Sequence, residues 1–180
     1  MTPAELAFVK PVCQACLVWE SGSGVIYKRL VSITTVIQAI LETGWGKSSL
    51  CAYHNYGGVK HHLPQWPGVS MQTREVIQSQ NEVIKDAFQT YPTLTDYIAD
   101  HAEVLLRWAC VRNSLNVGLT ATFEALGPWN SDDLAAIREH NPDASDHSNY
   151  STDPTYPQSL MTLAEEFGFL DLASIDRYAA

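Results

Sequence analysis

One glutamate, Glu42, stands where a proton donor could be made. It falls within Gln38-Ala39-Ile40-Leu41-Glu42-Thr43-Gly44-Trp45-Gly46-Lys47-Ser48, where an apolar run gives way to a tryptophan between two glycines. If that run is a helix ending at Gly44, Glu42 lies in its last turn and faces the negative end of the helix dipole, where Lys, Arg or His is the ordinary occupant. Desolvation by Trp45 and the neighbouring apolar side chains would act in the same direction. Both effects keep a carboxyl protonated nearer neutrality, which is what a general acid requires. A solvated surface glutamate is the alternative these residues leave open, since a misplaced charge at a helix end costs only ~0.3–1 kcal/mol.

The helix that has to carry Glu42 shows in Ile33, Val36, Ile37, Ile40 and Leu41, the spacing of a helix with one buried face. Ser32 is its expected N-cap and Gly44 its expected left-handed C′ residue. Before it, Pro3 to Glu20 reads as an amphipathic helix capped by Thr2, with a kink or a later start expected at Pro11. Val25 to Val31 reads as a connecting arm. Met71–Ile77, which alternates with period two, and Glu82–Thr90 read as a hairpin joined through 78–81, with a helix over Thr73–Phe88 as the alternative these residues leave open. Thr93 to Val111 is a helix opened by Thr93 and Asp96, with Leu94, Ile98, His101, Leu105 and Trp108 along one side. Further helices are expected over Leu115–Leu126 and Ser131–Glu139. A last one is expected through Phe167, with Asp153 as N-cap and Pro154 at its first position.

The chain has 180 residues, 46% of them hydrophobic, and a net charge of −9. That suits one compact domain over 1–180 and argues against nucleic acid or anionic membrane as partner. No 18-residue apolar run offers a membrane span, and Met1 to Lys10 lacks the basic start and apolar core of a signal peptide. Cys13 and Cys16 share a C-x-x-C spacing inside a helical pattern, without a second pair, and are expected to be buried thiols, with a disulfide or a metal half-site as the alternatives. No histidine spacing fits a metal, so neither metal nor cofactor is expected.

Ala39 to Leu50 closely resembles the signature of the bacterial glucosaminidases of glycoside hydrolase family 73, which includes flagellar peptidoglycan hydrolases, autolysins and phage endolysins. Two further stretches agree with that resemblance. His54-Asn55-Tyr56-Gly57-Gly58-Val59-Lys60 is similar to the family's Asn-Leu-Phe-Gly-(Ile/Val)-Lys, with Tyr56 and Gly57 as departures. Asn149-Tyr150-Ser151-Thr152-Asp153-Pro154-Thr155-Tyr156 is similar to its Tyr-Ala-Thr-Asp-Pro-x-Tyr segment. Thr73-Arg74-Glu75 followed by Ala87 to Pro92 resembles the family's β-lobe.

The resemblance implies an α+β, mainly α chain: a lysozyme-like helical domain with a small β-hairpin lobe at about 69–91. It implies hydrolysis of the β-1,4 bond between N-acetylglucosamine and N-acetylmuramic acid, with peptidoglycan glycan strands as partner and a monomer as the working form. Glu42 would be the catalytic acid, Glu75 the second carboxylate and Tyr150 a residue orienting the N-acetyl group or the attacking water. An exposed strand glutamate is the alternative reading of Glu75. Trp45, Asn55, Tyr56, Lys60, Trp66 and His101 are candidates for sugar contact; Trp66 could equally be a packing residue, and His101 a core histidine. A muramidase, a lytic transglycosylase and a non-catalytic glycan-binding domain are the competing functions. The place of action would be the cell wall, periplasmic or extracellular, reached by phage-type release or as part of a longer precursor.

Overall fold

The computed structural model describes residues 1–77, 80–128, 151 and 153–180. The expected helix over 131–139 and Tyr150 lie outside them. Helix α1 spans Pro3–Gly22 and opens with a reciprocal capping box, the Thr2 hydroxyl accepting from the Glu5 backbone N–H and the Glu5 carboxylate from that of Thr2. It runs unbroken through Pro11, against expectation. Pro11 and Ala7 both lie on the exposed face, so the carbonyl that loses its partner is open to water.

Helix α2 spans Lys28–Thr43 and starts four residues before Ser32. Tyr27 is its N-cap and makes no side-chain cap, while Arg29 pairs with the buried Glu20 at 2.9 Å. Residues 31–40 are all buried, so α2 hides every face rather than one. Its β-branched residues are poor helix formers in isolation. Burial of Ile33, Ile37 and Ile40, roughly 1.5–3 kcal/mol each, outweighs that. Around α2 pack α1, helix α3 (Leu94–Arg107), helix α5 (Leu119–Ala125) and helix α6 (Tyr156–Glu166).

Thr93 and Asp96 form the expected capping box of α3. The helix nevertheless ends at Arg107, because Trp108 takes an extended backbone before α4 (Ala109–Ser114). Helix α6 begins at Tyr156 and has no side-chain cap. Asp153 instead holds the preceding turn, accepting from the Thr155 N–H and hydroxyl, each at 2.8 Å. Helix α7 (Ser174–Ala179) returns to α1, where Lys10 and Gln14 donate to the Ala180 and Ala179 carbonyls. Among the described residues no helix is long and apolar enough to cross a membrane.

The lobe is one antiparallel hairpin, β1 (Gly68–Ile77) with β2 (Gln80–Gln89), longer than expected and in a register that sets Glu75 opposite Glu82. Its foot is tied to the body by Asn55. The fully buried Asn55 amide donates to the Val59 and Gln89 carbonyls and accepts from the Val59 N–H, at 2.8–2.9 Å.

His101 bridges α3 to α2, with Nδ1 3.1 Å from the Thr35 hydroxyl and no exposed surface. Burial pushes its imidazole down to about 4, against ~6.5 in an unfolded chain. A histidine depressed in the folded state is held neutral. Its stabilising contribution is therefore complete above ~6.5 and is lost as pH falls towards about 4, up to ~3 kcal/mol from this site. His101→Gln keeps a polar partner for Thr35. Between pH 7 and 4.5 the variant should lose less unfolding free energy than wild type, as read by denaturant titration; parallel losses would mean that this proton is not taken up on unfolding.

Candidate active site

Glu42 sits one residue before the end of α2, and the chain turns away from it through three consecutive left-handed residues, Gly44, Trp45 and Gly46, at φ of 54°, 64° and 79°. Thr43 fastens the turn: its hydroxyl donates to the Ala39 carbonyl at 2.6 Å and accepts from the Gly46 N–H at 2.8 Å. A side chain at Gly46 would strike the Phe8 ring at 2.7 Å, so glycine is required there by space as well as by φ. The reversal leaves the carboxyl at the floor of a groove of about 880 Å³ between the hairpin and the helical body.

One carboxyl oxygen of Glu42 accepts from the Tyr156 hydroxyl at 2.9 Å, and that hydroxyl accepts in turn from the Gln38 amide at 2.9 Å. Gln38 and Glu42 are one turn apart on α2, and Tyr156 reaches both from the first turn of α6. Glu42 keeps surface open to the groove while protein crowds its remaining sides. Both descriptions hold for a carboxyl at the bottom of a cleft, and the crowding governs its protonation. Loss of water raises the pKa above the usual carboxylate range, and the Tyr156 hydrogen bond opposes that rise without cancelling it.

The groove is lined by Asn55, Tyr56 and Lys60 of the predicted sugar contacts, but Trp45, Trp66 and His101 do not line it. Trp45 packs edge-on between Phe8 and Phe167, and Trp66 edge-on against Tyr91. His101 lies behind Gly57, whose missing side chain would press on its ring at 3.0 Å. Asn55 spends its amide on the backbone. Instead, Trp108, Phe88 and Tyr156 join Tyr56 as the aromatic lining. Glu75 is placed by its backbone in β1.

Two functional neighbours were missed in sequence. Tyr156 closes the quoted Tyr-Ser-Thr-Asp-Pro-Thr-Tyr segment, and the helical spacing of Tyr156, Leu160 and Ala164, all buried, is the signal that it faces α2. His62 also lines the groove. Its Nε2 lies 3.0 Å from a carboxylate oxygen of buried Asp100, which accepts from the Tyr91 hydroxyl at 2.6 Å through its other oxygen. No local pattern links His62 to Asp100. The described residues include no group of three or more His, Cys, Asp or Glu side chains able to hold a metal. Cys13 and Cys16 are buried thiols whose ionisation burial opposes, that of Cys13 moving up to about 12.

The family model described as Glucosaminidase, mannosyl-glycoprotein endo-beta-N-acetylglucosaminidase, matches residues 26–169, a span that contains α2, the hairpin and α6. The chain belongs to this glucosaminidase family. It is 30% identical over 152 residues to the exo-glucosaminidase LytG of Bacillus subtilis (strain 168), covering 78% of this chain and 45% of that protein. It is also 30% identical over 133 residues to an autolysin of Enterococcus faecalis (strain ATCC 700802 / V583), covering 73% of this chain and 16% of that protein. The chain thus spans less than half the length of either glucosaminidase-related protein. In fold it is similar to the catalytic domain of the autolysin Auto from Listeria monocytogenes, with a TM-score of 0.64 at 20% identity over 99% of this chain and 89% of that one. The family match and the shared fold agree on a mainly helical domain with a small two-stranded sheet.

Tyr156→Phe removes the hydrogen bond that holds the Glu42 pKa down. If Glu42 is the acid and must be protonated to act, the alkaline limb of the kcat/KM profile should move to higher pH in the variant, with a lower plateau from the less fixed carboxyl. An unmoved limb would separate Tyr156 from the ionisation of Glu42.

Proposed function

We propose that this domain hydrolyses the β-1,4 bond between N-acetylglucosamine and N-acetylmuramic acid in peptidoglycan glycan strands. The observation that carries the reading is Glu42, a carboxyl of raised pKa at the floor of an open groove, with one oxygen held by Tyr156. The groove of about 880 Å³ has the volume of a ligand-binding cleft. The relatives named as an exo-glucosaminidase and as autolysins support a wall glycan as substrate.

In this reading Glu42 transfers its proton to the glycosidic oxygen as the bond from C1 to that oxygen breaks, and positive charge develops at C1 and the ring oxygen. Water adds to C1, and its proton passes to Glu75, the proposed second carboxylate. Support for Glu75 is its place on β1 of the lobe and the resemblance of Thr73-Arg74-Glu75 to the family's strand. Tyr150 is proposed to orient the N-acetyl group or the water, on the resemblance of its segment. The domain is proposed to act as a monomeric unit over 1–180, without metal or cofactor, on the wall outside the cytoplasmic membrane.

Glu42→Gln preserves volume but has no proton to donate, so wall hydrolysis should fall by ~10²–10⁴-fold or more with little change in thermal stability. Glu75→Gln should fall by less. Wild-type digests of sacculi, reduced and identified by mass, should carry new N-acetylglucosaminitol ends. New N-acetylmuramitol ends would make the enzyme a muramidase, and anhydro ends a transglycosylase. Activity in Glu42→Gln within a few-fold of wild type would remove Glu42 from the mechanism.

A further inference from the structure

In the buried stretch of α2 from Val31 to Ile40, every residue is apolar, Ser or Thr except Gln38, whose side chain has no exposed surface. Its Nε2 donates to the Tyr156 hydroxyl at 2.9 Å, while its own Oε1 is enclosed without a hydrogen-bond partner. A core amide with an orphaned carbonyl costs stability that leucine or methionine in its place would not. The reason for an amide at 38 therefore lies in the bond it does make.

That bond has a direction. A phenol has one proton to give, and Glu42 Oε1 stands 2.9 Å from it as an acceptor, so the hydroxyl gives to Glu42 and receives from Gln38. The NH2 end of Gln38 is the end that faces the ring, because a carbonyl there would compete with Glu42 for the same proton. The direction matters most when Glu42 is in its acid form. A protonated carboxyl beside a freely turning hydroxyl can itself donate to it, and its proton is then spent inside the protein. With the Gln38 amide on Tyr156, the hydroxyl goes on donating to Oε1, and the acid proton is left to Oε2 of a side chain that lines the groove. Asp153, Tyr56, Lys60 and His62 line the groove as well, but burial and the Tyr156 hydrogen bond, rather than their charges, govern how firmly Glu42 holds its proton.

We propose that Gln38 is a positioning residue for the acid: it fixes the direction of the hydrogen-bond chain from Gln38 through Tyr156 to Glu42, and so leaves the transferable proton on Glu42 Oε2. Its consequence for catalysis rests on the hydrolytic reading given above, whereas the chain itself belongs to the resting protein. In the step, the Oε2–H bond breaks as the glycosidic oxygen gains the proton, and the electron pair left on Glu42 is shared with Oε1, where Tyr156 already donates. A donor aimed in advance at the atom where charge develops holds it more strongly as the charge forms. Gln38, wholly enclosed, touches no substrate and acts through Tyr156.

Gln38→Met keeps the volume and removes the donor. With nothing pinning the hydroxyl, protonated Glu42 can donate to it, which favours the acid form. Glu42 should therefore lose its proton at higher pH in the variant, followed on the full chain by carbon NMR of carboxyl-labelled glutamate, with Glu42→Gln identifying the resonance. On soluble glycan strands the alkaline limb of the kcat/KM profile should move with it and the kcat plateau fall about 10-fold, while Tm holds or rises. Gln38→Leu, a second apolar variant, should behave alike. In a Tyr156→Phe background the link is gone, so adding Gln38→Met should change neither limb nor plateau. An equal effect in both backgrounds would reduce Gln38 to a packing residue, and a Glu42 titration unchanged from wild type would overturn the proposal. If wild type released no reducing ends from any strand while Glu42 still titrated higher in Gln38→Met, the hydrolytic reading would fail and the directed chain would stand.

Discussion

A general acid has to satisfy two opposed demands: enough protein around it to keep the proton on, and enough space to hand that proton to a substrate. With Glu42 as the proposed acid, its contact with Tyr156 meets them together. It joins the last turn of α2 to the first turn of α6 across the floor of the groove, with Gln38 behind it in the buried interior. The crowding that raises the carboxyl pKa comes from the helices that Tyr156 draws together, while the rim stays open. The strained-looking chain reversal after Thr43 serves the same end. Three left-handed residues in succession end α2 there, one residue after Glu42, and both Glu42 and Thr43 line the groove.

What was legible in sequence follows from how far apart the cooperating residues lie. Glu42 and its left-handed exit at Gly44 could be read because helix, cap and glycine are contiguous. The capping boxes at Thr2 and Thr93 were legible for the same reason. Tyr156 carries no such local mark: its partner lies 114 residues away, and Pro154 sets the expected helix start two residues before it. Ser32 was misread as a cap because the apolar periodicity begins near it. Lys28 and Arg29, which carry the helix back a further turn, announce themselves by pairing with α1 rather than by hydrophobicity.

Aromatic residues misled more than carboxyls did. Trp45 and Trp66 drew notice as single tryptophans beside glycine and proline, yet rings in such places are as able to pack as to bind, and both pack. Trp108 was assigned to a helix face and reaches the groove only because α3 stops one residue before it. A break of that kind leaves no strong mark in composition, so the true lining emerges only when the fold is known. Asn55 shows the reverse case: a residue that matches a family motif can belong to it for architecture, here by holding the lobe to the body with three hydrogen bonds.

Several aromatic rings form a row of their own, with Tyr56 the member that also lines the groove. Phe167, Trp45, Phe8, Tyr56, Tyr97, Tyr91 and Trp66 follow one another at centroid separations of 4.8–6.4 Å, from the end of α6 through the turn after Glu42 and α1 to the loop that enters β1. Stiff side chains in such a row have few rotamers to yield, so a load applied at one end is carried rather than absorbed. The hairpin is therefore joined to the first helix through packed rings as well as through the backbone, and the turn that follows Glu42 stands in the same row, so a shift of the lobe's foot and a shift of that turn are coupled.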